Sequence, residues 1–341
     1  MSYTIALNFE DGVSRFIQCN ENEKVLDAAY RQKINLPMDC SDGVCGTCKC
    51  RCETGNFDLG DDYLEDALSE QEREKGLVLT CQMIPESDCV IAVPVSSAMC
   101  KTGNETFRTE LISVEHLSAS AIELRLRLQD HPGIAFLSGQ YVNIQLPGSD
   151  ITRAYSFSSL PGAEELSFLI RNVPDGLMST WLSRRAKPGD NLTLTGPQGS
   201  FYLREVVRPV LMLAGGTGLA PFLSMLRTMM RTGVHYPIHL VYGVTLDTDR
   251  VKLDELDMLV EQIPQFSYRV CVADTHSTAE RKGYVTQHID DAMLNGGDVD
   301  VYLCGPPPMV EAVMRYFSEK TITPQNFHYE KFTPQAIREA S

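Results

Sequence analysis

The sequence predicts a multi-domain fold: a β-grasp α+β domain, then an antiparallel β-barrel, then an α/β domain built on a parallel sheet. Three observations predict it. A cysteine-dense segment near the start is flanked by alternating strand patterns and one short helix pattern. From residue 107 short strand patterns follow one another between turn residues, interrupted by a single helix. From residue 210 buried strands alternate with helices, as crossover connections require. At 341 residues the chain is long enough for two or three separate cores.

Hydrophobic and charged fractions of 43% and 22% are those of an ordinary globular protein. No apolar run approaches the ~20 residues of a membrane span, and the N-terminus lacks the basic start and apolar core of a signal peptide. A cytoplasmic protein with no membrane association is therefore expected. Eleven cysteines, an odd number with five of them crowded between residues 40 and 52, suit metal ligation in a reducing compartment better than disulfides. Residues 1–100 carry 8 Lys/Arg against 18 Asp/Glu, a net of −10, and the remaining 241 carry 22 against 27. That balance argues against nucleic-acid binding, which needs a basic surface. It fits either plain solubility or a partner with a basic patch.

In the first domain, residues 3–9 alternate as a strand, Asp11-Gly12 is a hairpin turn, and 14–19 return as a second strand. Residues 23–32 read as a helix with Val25, Leu26 and Ala29 on one face. Then comes Cys40-Ser-Asp-Gly-Val-Cys45-Gly-Thr-Cys48. Its C-x4-C-x2-C spacing is that of a plant-type [2Fe–2S] loop. Gly43 and Gly46 allow the tight wrap, and the bend points amide N–H groups at anionic sulfur. Zinc sites use paired C-x2-C knuckles, and only one such pair occurs here. Two cysteines compete as fourth ligand, Cys81 and Cys89. Cys50 and Cys52 alternate in phase with Cys48 along a following strand and read as packing residues.

Residues 96–106, polar with Gly103, read as a linker between a domain of 1–95 and a barrel of 107–206. The barrel strands fall at 109–117, 122–128, 141–146, 166–170 and 191–195, with a helix at 176–186. Arg153-Ala154-Tyr155-Ser156 offers a cation for a diphosphate, an aromatic face for a flat ring system and a hydroxyl to touch it. Gly176-Leu-Met178-Ser179-Thr180 opens the helix, whose free N–H groups suit phosphate.

The third domain, 207–341, holds strands at 210–214, 238–243, 268–273 and 299–303 and helices at 221–232, 253–262, 284–294 and 309–319. Gly215-Gly216-Thr217-Gly218-Leu-Ala-Pro221 is a glycine turn between strand and helix, where backbone can approach a dinucleotide. It is not G-x-G-x-x-G, since Pro221 stands where the last glycine would. Cys304-Gly305-Pro306 opens a tight loop from a strand end, where open α/β sheets bind ligands. Asp247 and Asp249 follow the second strand with only Arg250 nearby, so a 2′-phosphate would be repelled and NADH is favoured over NADPH.

These motifs resemble, in order, a plant-type ferredoxin domain and the ferredoxin–NAD(P) reductase family. The ferredoxin resemblance rests on Leu79-Thr-Cys81-Gln82 and picks Cys81, so Cys40, Cys45, Cys48 and Cys81 are the implied ligands. The reductase family's R-x-Y-S-x-x-S implies that Arg153 binds FAD phosphate, Tyr155 packs on the ring and Ser156 sits near its reactive nitrogen. It implies diphosphate contacts from Met178, Ser179 and Thr180, a place for Cys304 beside the nicotinamide, and Phe332 as a late aromatic over the flavin. The chain continues beyond that aromatic, whereas the plant type ends there. The N-terminal ferredoxin is similar to reductases of bacterial aromatic oxygenases, above all those of benzoate, toluate and anthranilate 1,2-dioxygenases. The resemblance implies a benzoate 1,2-dioxygenase as partner, with a Rieske-type oxygenase accepting electrons. Flavin is needed between donor and acceptor because NADH gives two electrons at once and an iron–sulfur cluster takes one. No general acid or base is needed for hydride transfer, so Ser156, Cys304 and Phe332 are positioning groups. A phenol or methane monooxygenase reductase would share every motif; a redox sensor and a zinc protein are the non-enzyme alternatives.

Overall fold

The computed structural model describes residues 2–11, 14–100, 105–134, 136–199 and 201–333. Gly12 of the expected turn, 101–104 of the expected linker and 334–341 of the tail lie outside the described residues. The chain divides into two compact units, residues 1–106 with 196–200 and residues 107–195 with 201–341.

The first unit is a mixed five-stranded sheet with one helix laid on it. Strands β1 (Ser2–Phe9) and β2 (Ser14–Asn20) form the hairpin, α1 (Val25–Arg31) follows, and β3 (Lys49–Thr54) leaves the cysteine loop. After β4 (Phe57–Asp58) comes α2 (Glu70–Glu74), one turn closed by the reciprocal cap of Ser69 and Glu72. Then follow β5 (Leu77–Leu79), β6 (Ile84–Pro85) and β7 (Cys89–Val93). The sheet order is β2-β1-β7-β3-β5, with β1 and β7 parallel. Alternation puts Ile5, Leu7, Cys50, Val78 and Ile91 in one core with Val25, Ala28 and Ala29 of α1. Residues 96–100, expected as linker, pack onto this unit: Ser97 donates from N–H and hydroxyl to Asp11 (3.0 and 2.8 Å), and Cys100 is buried.

In the second unit, β8 (Glu105–His116), β9 (Ala121–Leu128), β10 (Tyr141–Gln145), β11 (Thr152–Ser156), β12 (Glu165–Arg171) and β13 (Asn191–Gln198) form one sheet in the order β11-β10-β13-β8-β9-β12. A bridge between Phe157 and Phe168, with Ser158 N–H donating to Ser167 O at 2.9 Å, joins its two edges and closes the barrel. Helix α3 (Leu177–Arg184) sends Met178 and Leu182 into the barrel core.

The parallel sheet of the same unit runs β16-β15-β14-β17-β18, from β14 (Val210–Gly215), β15 (Ile238–Val244), β16 (Phe266–Val272), β17 (Asp300–Gly305) and β18 (Asn326–Lys331). Buried on both faces, β14 and the stretch 301–304 of β17 read as unbroken apolar runs. The crossover helices are α4 (Leu219–Thr232), α5 (Leu253–Gln262), the short α6 (Asp291–Leu294) and α7 (Pro307–Lys320). The helix expected over 284–294 is broken into a 3-10 turn and α6. Ile289 and Asp290 are extended between them, and Arg269 holds the Asp290 carboxylate at 2.5 Å. The fifth strand, β18, was not anticipated: as an edge strand it is only half-buried and lacks a continuous apolar run.

Candidate functional site

In the first unit the four predicted sulfurs converge as two pairs. Cys40 and Cys45 Sγ stand 2.8 Å apart, and Cys48 and Cys81 Sγ 3.2 Å apart. The first pair is a local product: Gly43 and Gly46 take φ of +79° and +72°, and a Cβ on Gly43 would meet Tyr63 Cβ at 2.7 Å. The second is brought from a distance by the β3–β5 ladder, where Lys49 faces Leu79 and Thr80 N–H donates to Cys48 O at 3.2 Å. Cys40 is held far below the ordinary thiol range by hydrogen bonds from the Cys45 and Cys81 thiols, and backbone N–H groups of Asp42 and Val44 add to the effect. Cys48 is lowered likewise by Cys81. Among the described residues no three His, Cys, Asp or Glu side chains stand ready to cage a metal ion. Two sulfurs on one tetrahedral metal with ~2.3 Å bonds are about 3.7 Å apart, so each pair must open slightly to ligate. Two thiol pairs, three of the four sulfurs on buried residues and with backbone N–H donors at Cys40 and Cys48, are a donor set that fits a two-iron cluster. Cys89 lies elsewhere, its sulfur against Ser87 O (3.3 Å) and Asn56 O (3.6 Å).

In the second unit, β11 presents the expected flavin residues on alternating faces: Arg153 and Tyr155 half-buried, Ala154 exposed, Ser156 buried. Burial raises the Tyr155 phenol above its ordinary range, keeping it neutral. The Arg153 guanidinium donates to the carbonyl of Thr152 at 2.8 Å and forms no ion pair among the described residues. Helix α3 starts at Gly176 with no side-chain cap, so its first N–H groups lack a side-chain acceptor. A Cβ on Gly176 would come within 3.1 Å of Val173. Ser179's hydroxyl holds the preceding loop, accepting from Val173 N–H (3.0 Å) and donating to Arg171 O (3.2 Å). Thr180 is half-buried, one residue further along. A guanidinium with no ion pair among the described residues and an uncapped helix start fit a diphosphate.

The glycine turn lies at the switch point of the parallel sheet. The chain crosses one way from β14 to β15 and the other way to β17, so the ends of β14 and β17 flank a crevice. Gly218 is pressed against β17: a Cβ there would sit 2.3 Å from Cys304 O. Gly216, at φ +55°, faces open space. Thr217 and Pro221 are buried, Pro221 in the first turn of α4. Gly305 ends β17, and Pro306 precedes α7 without a side-chain cap. Asp247 accepts from Ser277 Oγ (2.9 Å) and Thr278 N–H (3.4 Å) and pairs with Arg250 at 3.2 Å. That pairing occupies the Arg250 guanidinium.

A residue the sequence reading passed over joins the two halves of this unit. Glu330, buried on β18 beside Cys304, accepts from the Ser156 hydroxyl at 3.2 Å, and the Cys304 thiol points to the same Oε2 at 3.9 Å. Phe332 follows, its N–H donating to Gly305 O at 2.9 Å and its ring half-buried against the α/β core. The sequence signal was its place beside Phe332 in Tyr329-Glu330-Lys331-Phe332.

Three family models match the chain: 2Fe-2S iron-sulfur cluster binding domain over 8–86, oxidoreductase FAD-binding domain over 108–202 and oxidoreductase NAD-binding domain over 212–315. The toluate 1,2-dioxygenase electron transfer component of Pseudomonas putida is 56% identical, covering 98% of this chain and 100% of its own. The 2-halobenzoate 1,2-dioxygenase electron transfer component of Burkholderia cepacia is 48% identical, covering 98% and 99%. The chain belongs to the dioxygenase electron transfer components. A solved cytochrome P450 reductase from Amycolatopsis superposes with a TM-score of 0.77 at 30% identity, covering 97% of this chain and 99% of that one. As a dioxygenase electron transfer component, the protein is an NADH-dependent oxidoreductase that works with FAD and a [2Fe–2S] cluster, and it hands electrons to an oxygenase. No helix among the described residues is long and apolar enough to cross a membrane.

Proposed function

We propose that this protein is the NADH-dependent reductase of a benzoate-type 1,2-dioxygenase, delivering electrons in the cytoplasm to a Rieske-type oxygenase. One observation carries the reading: relatives matching over nearly the whole chain serve toluate and halobenzoate dioxygenases, whose names denote ring-substituted benzoates. Bound FAD would supply the exchange between a two-electron donor and a one-electron acceptor. In this reading Cys40, Cys45, Cys48 and Cys81 hold the cluster in a module of 1–95. Arg153 and the α3 start at Gly176, with Met178, Ser179 and Thr180 around it, hold the diphosphate of FAD in a module of 107–206, and Tyr155 packs against the ring. Gly216, Thr217, Gly218, Pro221, Gly305 and Pro306 shape the nicotinamide crevice in 207–341. Asp247 selects NADH, and Phe332 borders the flavin.

The chain's own groups position rather than react. Buried Glu330 fixes the Ser156 hydroxyl and faces the Cys304 thiol, so three polar atoms share one dry corner where the hydroxyl has one orientation. Hydride transfer needs donor and acceptor about 3–3.5 Å apart, and such fixed groups hold that geometry. The reading is tested by mixing the purified holoprotein and NADH with purified candidate oxygenases. Benzoate consumption with a Rieske-type benzoate dioxygenase, coupled to NADH oxidation, is the expected result. Turnover only with a phenol or alkane monooxygenase would overturn it.

A further inference from the structure

Side chains on β9 alternate between the barrel core and its outer face. Ile122, Leu124 and Leu126 go inward and Glu123, Arg125 and Arg127 go outward, yet Arg125 and Arg127 are exposed while Glu123 is buried. Glu123 is covered by the parallel-sheet half of the same unit, where Lys252 Nζ stands 2.6 Å from its Oε1. Lys252 precedes α5 at φ +63°, a left-handed conformation that a lysine keeps only where its surroundings hold it. The same ammonium lies 3.9 Å from Glu255 of α5, and Glu255 pairs with Arg227 of α4 at 2.5 Å. The other arm of Arg227 crosses back to the barrel and donates to the carbonyl of Ser158, two residues past Ser156. Four charged side chains, none more than a quarter exposed, thus run as one chain from β9 through α5 and α4 to the exit of β11. Removing one member leaves a covered charge without its partner, so each link holds the next. A second bridge runs beside it, Ser120 Oγ donating to Asp249 Oδ1 at 2.5 Å, and ties the turn before β9 to the loop after β15.

We propose that Arg227 and Lys252 are positioning residues for hydride transfer, holding the glycine turn that opens α4 in register with the end of β11. The proposal rests on the function given above to those two segments, the turn bordering the nicotinamide and β11 the flavin. Helix α4 starts directly after the glycine turn, and Arg227 lies two turns further along, about 12 Å by helical rise. On the barrel side Ser158 is itself fixed, its N–H on Ser167 O at 2.9 Å and its Oγ 2.8 Å from Ser167 Oγ. A rigid helix and a pinned strand end tied by one guanidinium cannot slide past each other. Arg227 needs both arms of its planar fork, one for Glu255 and one for Ser158 O, and a lysine in its place reaches one of them. Lys252 steadies the fork from behind, because it anchors Glu255 to Glu123 on the barrel wall. Both residues act through the segments they hold, and a misplacement of about 1 Å between reacting groups costs on the order of 100-fold in rate.

The test mixes the full-length holoprotein with NADH under anaerobic stopped flow and follows flavin absorption. In Arg227→Lys and in Lys252→Gln, reduction at saturating NADH should slow about 10- to 100-fold per bound flavin. The half-saturating NADH concentration should change less than about threefold, a loss in rate without a loss in binding. Flavin content and reduction of the flavin by dithionite should match the parent, while the long-wavelength absorption of the stacked nicotinamide–flavin pair weakens. Glu123→Gln should slow the same step, and adding it to Lys252→Gln should slow it no further, because the two act as one link. That double variant leaves neither charge of the pair behind, so it also serves where a single variant folds poorly. Arg125→Gln, on the same face of β9 but exposed, should reduce at the parent rate. The proposal is overturned if Arg227→Lys and Lys252→Gln reduce at the parent rate per bound flavin, if their whole effect lies in lost flavin or in NADH half-saturation, or if Arg125→Gln slows as much. Failure of the underlying reading shows elsewhere: Arg153→Gln should lose flavin, and full flavin in that variant would remove the ground on which the proposal stands.

Discussion

The cysteine loop of the first unit and the Ser156–Glu330–Cys304 corner of the second show two ways of building a candidate site. The loop draws three of its four sulfurs from nine residues, and two glycines at positive φ set the wrap. The corner draws its three groups from positions 156, 304 and 330, carried by β11, β17 and β18. One site is written into a few adjacent turns; the other exists only once a barrel and a parallel sheet have both folded. Damage to the first should abolish a cofactor, whereas damage to the second should spare the cofactors and slow the reaction.

The sharpest break of that contrast comes from the one distant ligand. Cys81→Ser is expected to lose the cluster, seen as loss of bound iron and of brown absorption, while Cys89→Ser keeps both. If iron fell only in the second variant, the assignment of the pairs would be wrong. Next in size, Glu330→Gln should lower kcat for NADH oxidation with an artificial acceptor about 100-fold, the scale of a lost positioning contact. Flavin content should stay unchanged; a colourless variant would show Glu330 to be a binding residue instead.

Smaller effects probe the frame of the nucleotide crevice. Gly218→Ala drives a Cβ into Cys304 O and should cost about 1–3 kcal/mol, read as a lower Tm together with a raised KM for NADH. Asp247→Ser releases Arg250 from its ion pair, and the ratio of kcat/KM for NADPH to that for NADH should rise roughly tenfold, about 1.4 kcal/mol. The smallest effect is a pH limb. Burial pushes His328 down to about 4 from its ordinary 6.5, so the folded state favours the neutral ring. The unfolded chain takes up the proton first as pH falls, and stability from this group is therefore lost between about 6.5 and 4. Tm measured across that window should fall less steeply in His328→Gln than in the parent protein.

Legibility followed sequence distance. The C-x4-C-x2-C spacing, the strand–glycine–helix turn at Gly215 to Pro221 and the order of the three modules could be read because each depends on neighbours a few residues apart. Spacing left Cys81 and Cys89 both open, and the resemblance of Leu79-Thr-Cys81-Gln82 implied Cys81; in the fold the β3–β5 ladder sets Thr80 and Cys81 against Cys48. Glu330 stood in view within a strand the pattern missed, because β18 is half-buried at the sheet edge. The 284–294 helix failed for a related reason: local propensity favours a helix, and the Arg269–Asp290 ion pair with extended Ile289 overrides it.

By itself the sequence determined which chemistries the chain can hold, because loop spacing, glycine placement and hydrophobic period act through covalent neighbours and survive without a fold. Only the tertiary structure decided that Cys48 meets Cys81 and which carboxylate holds the Ser156 hydroxyl. Those are contacts between residues tens to hundreds of positions apart, and strand pairing and core packing alone bring them within a hydrogen bond's reach.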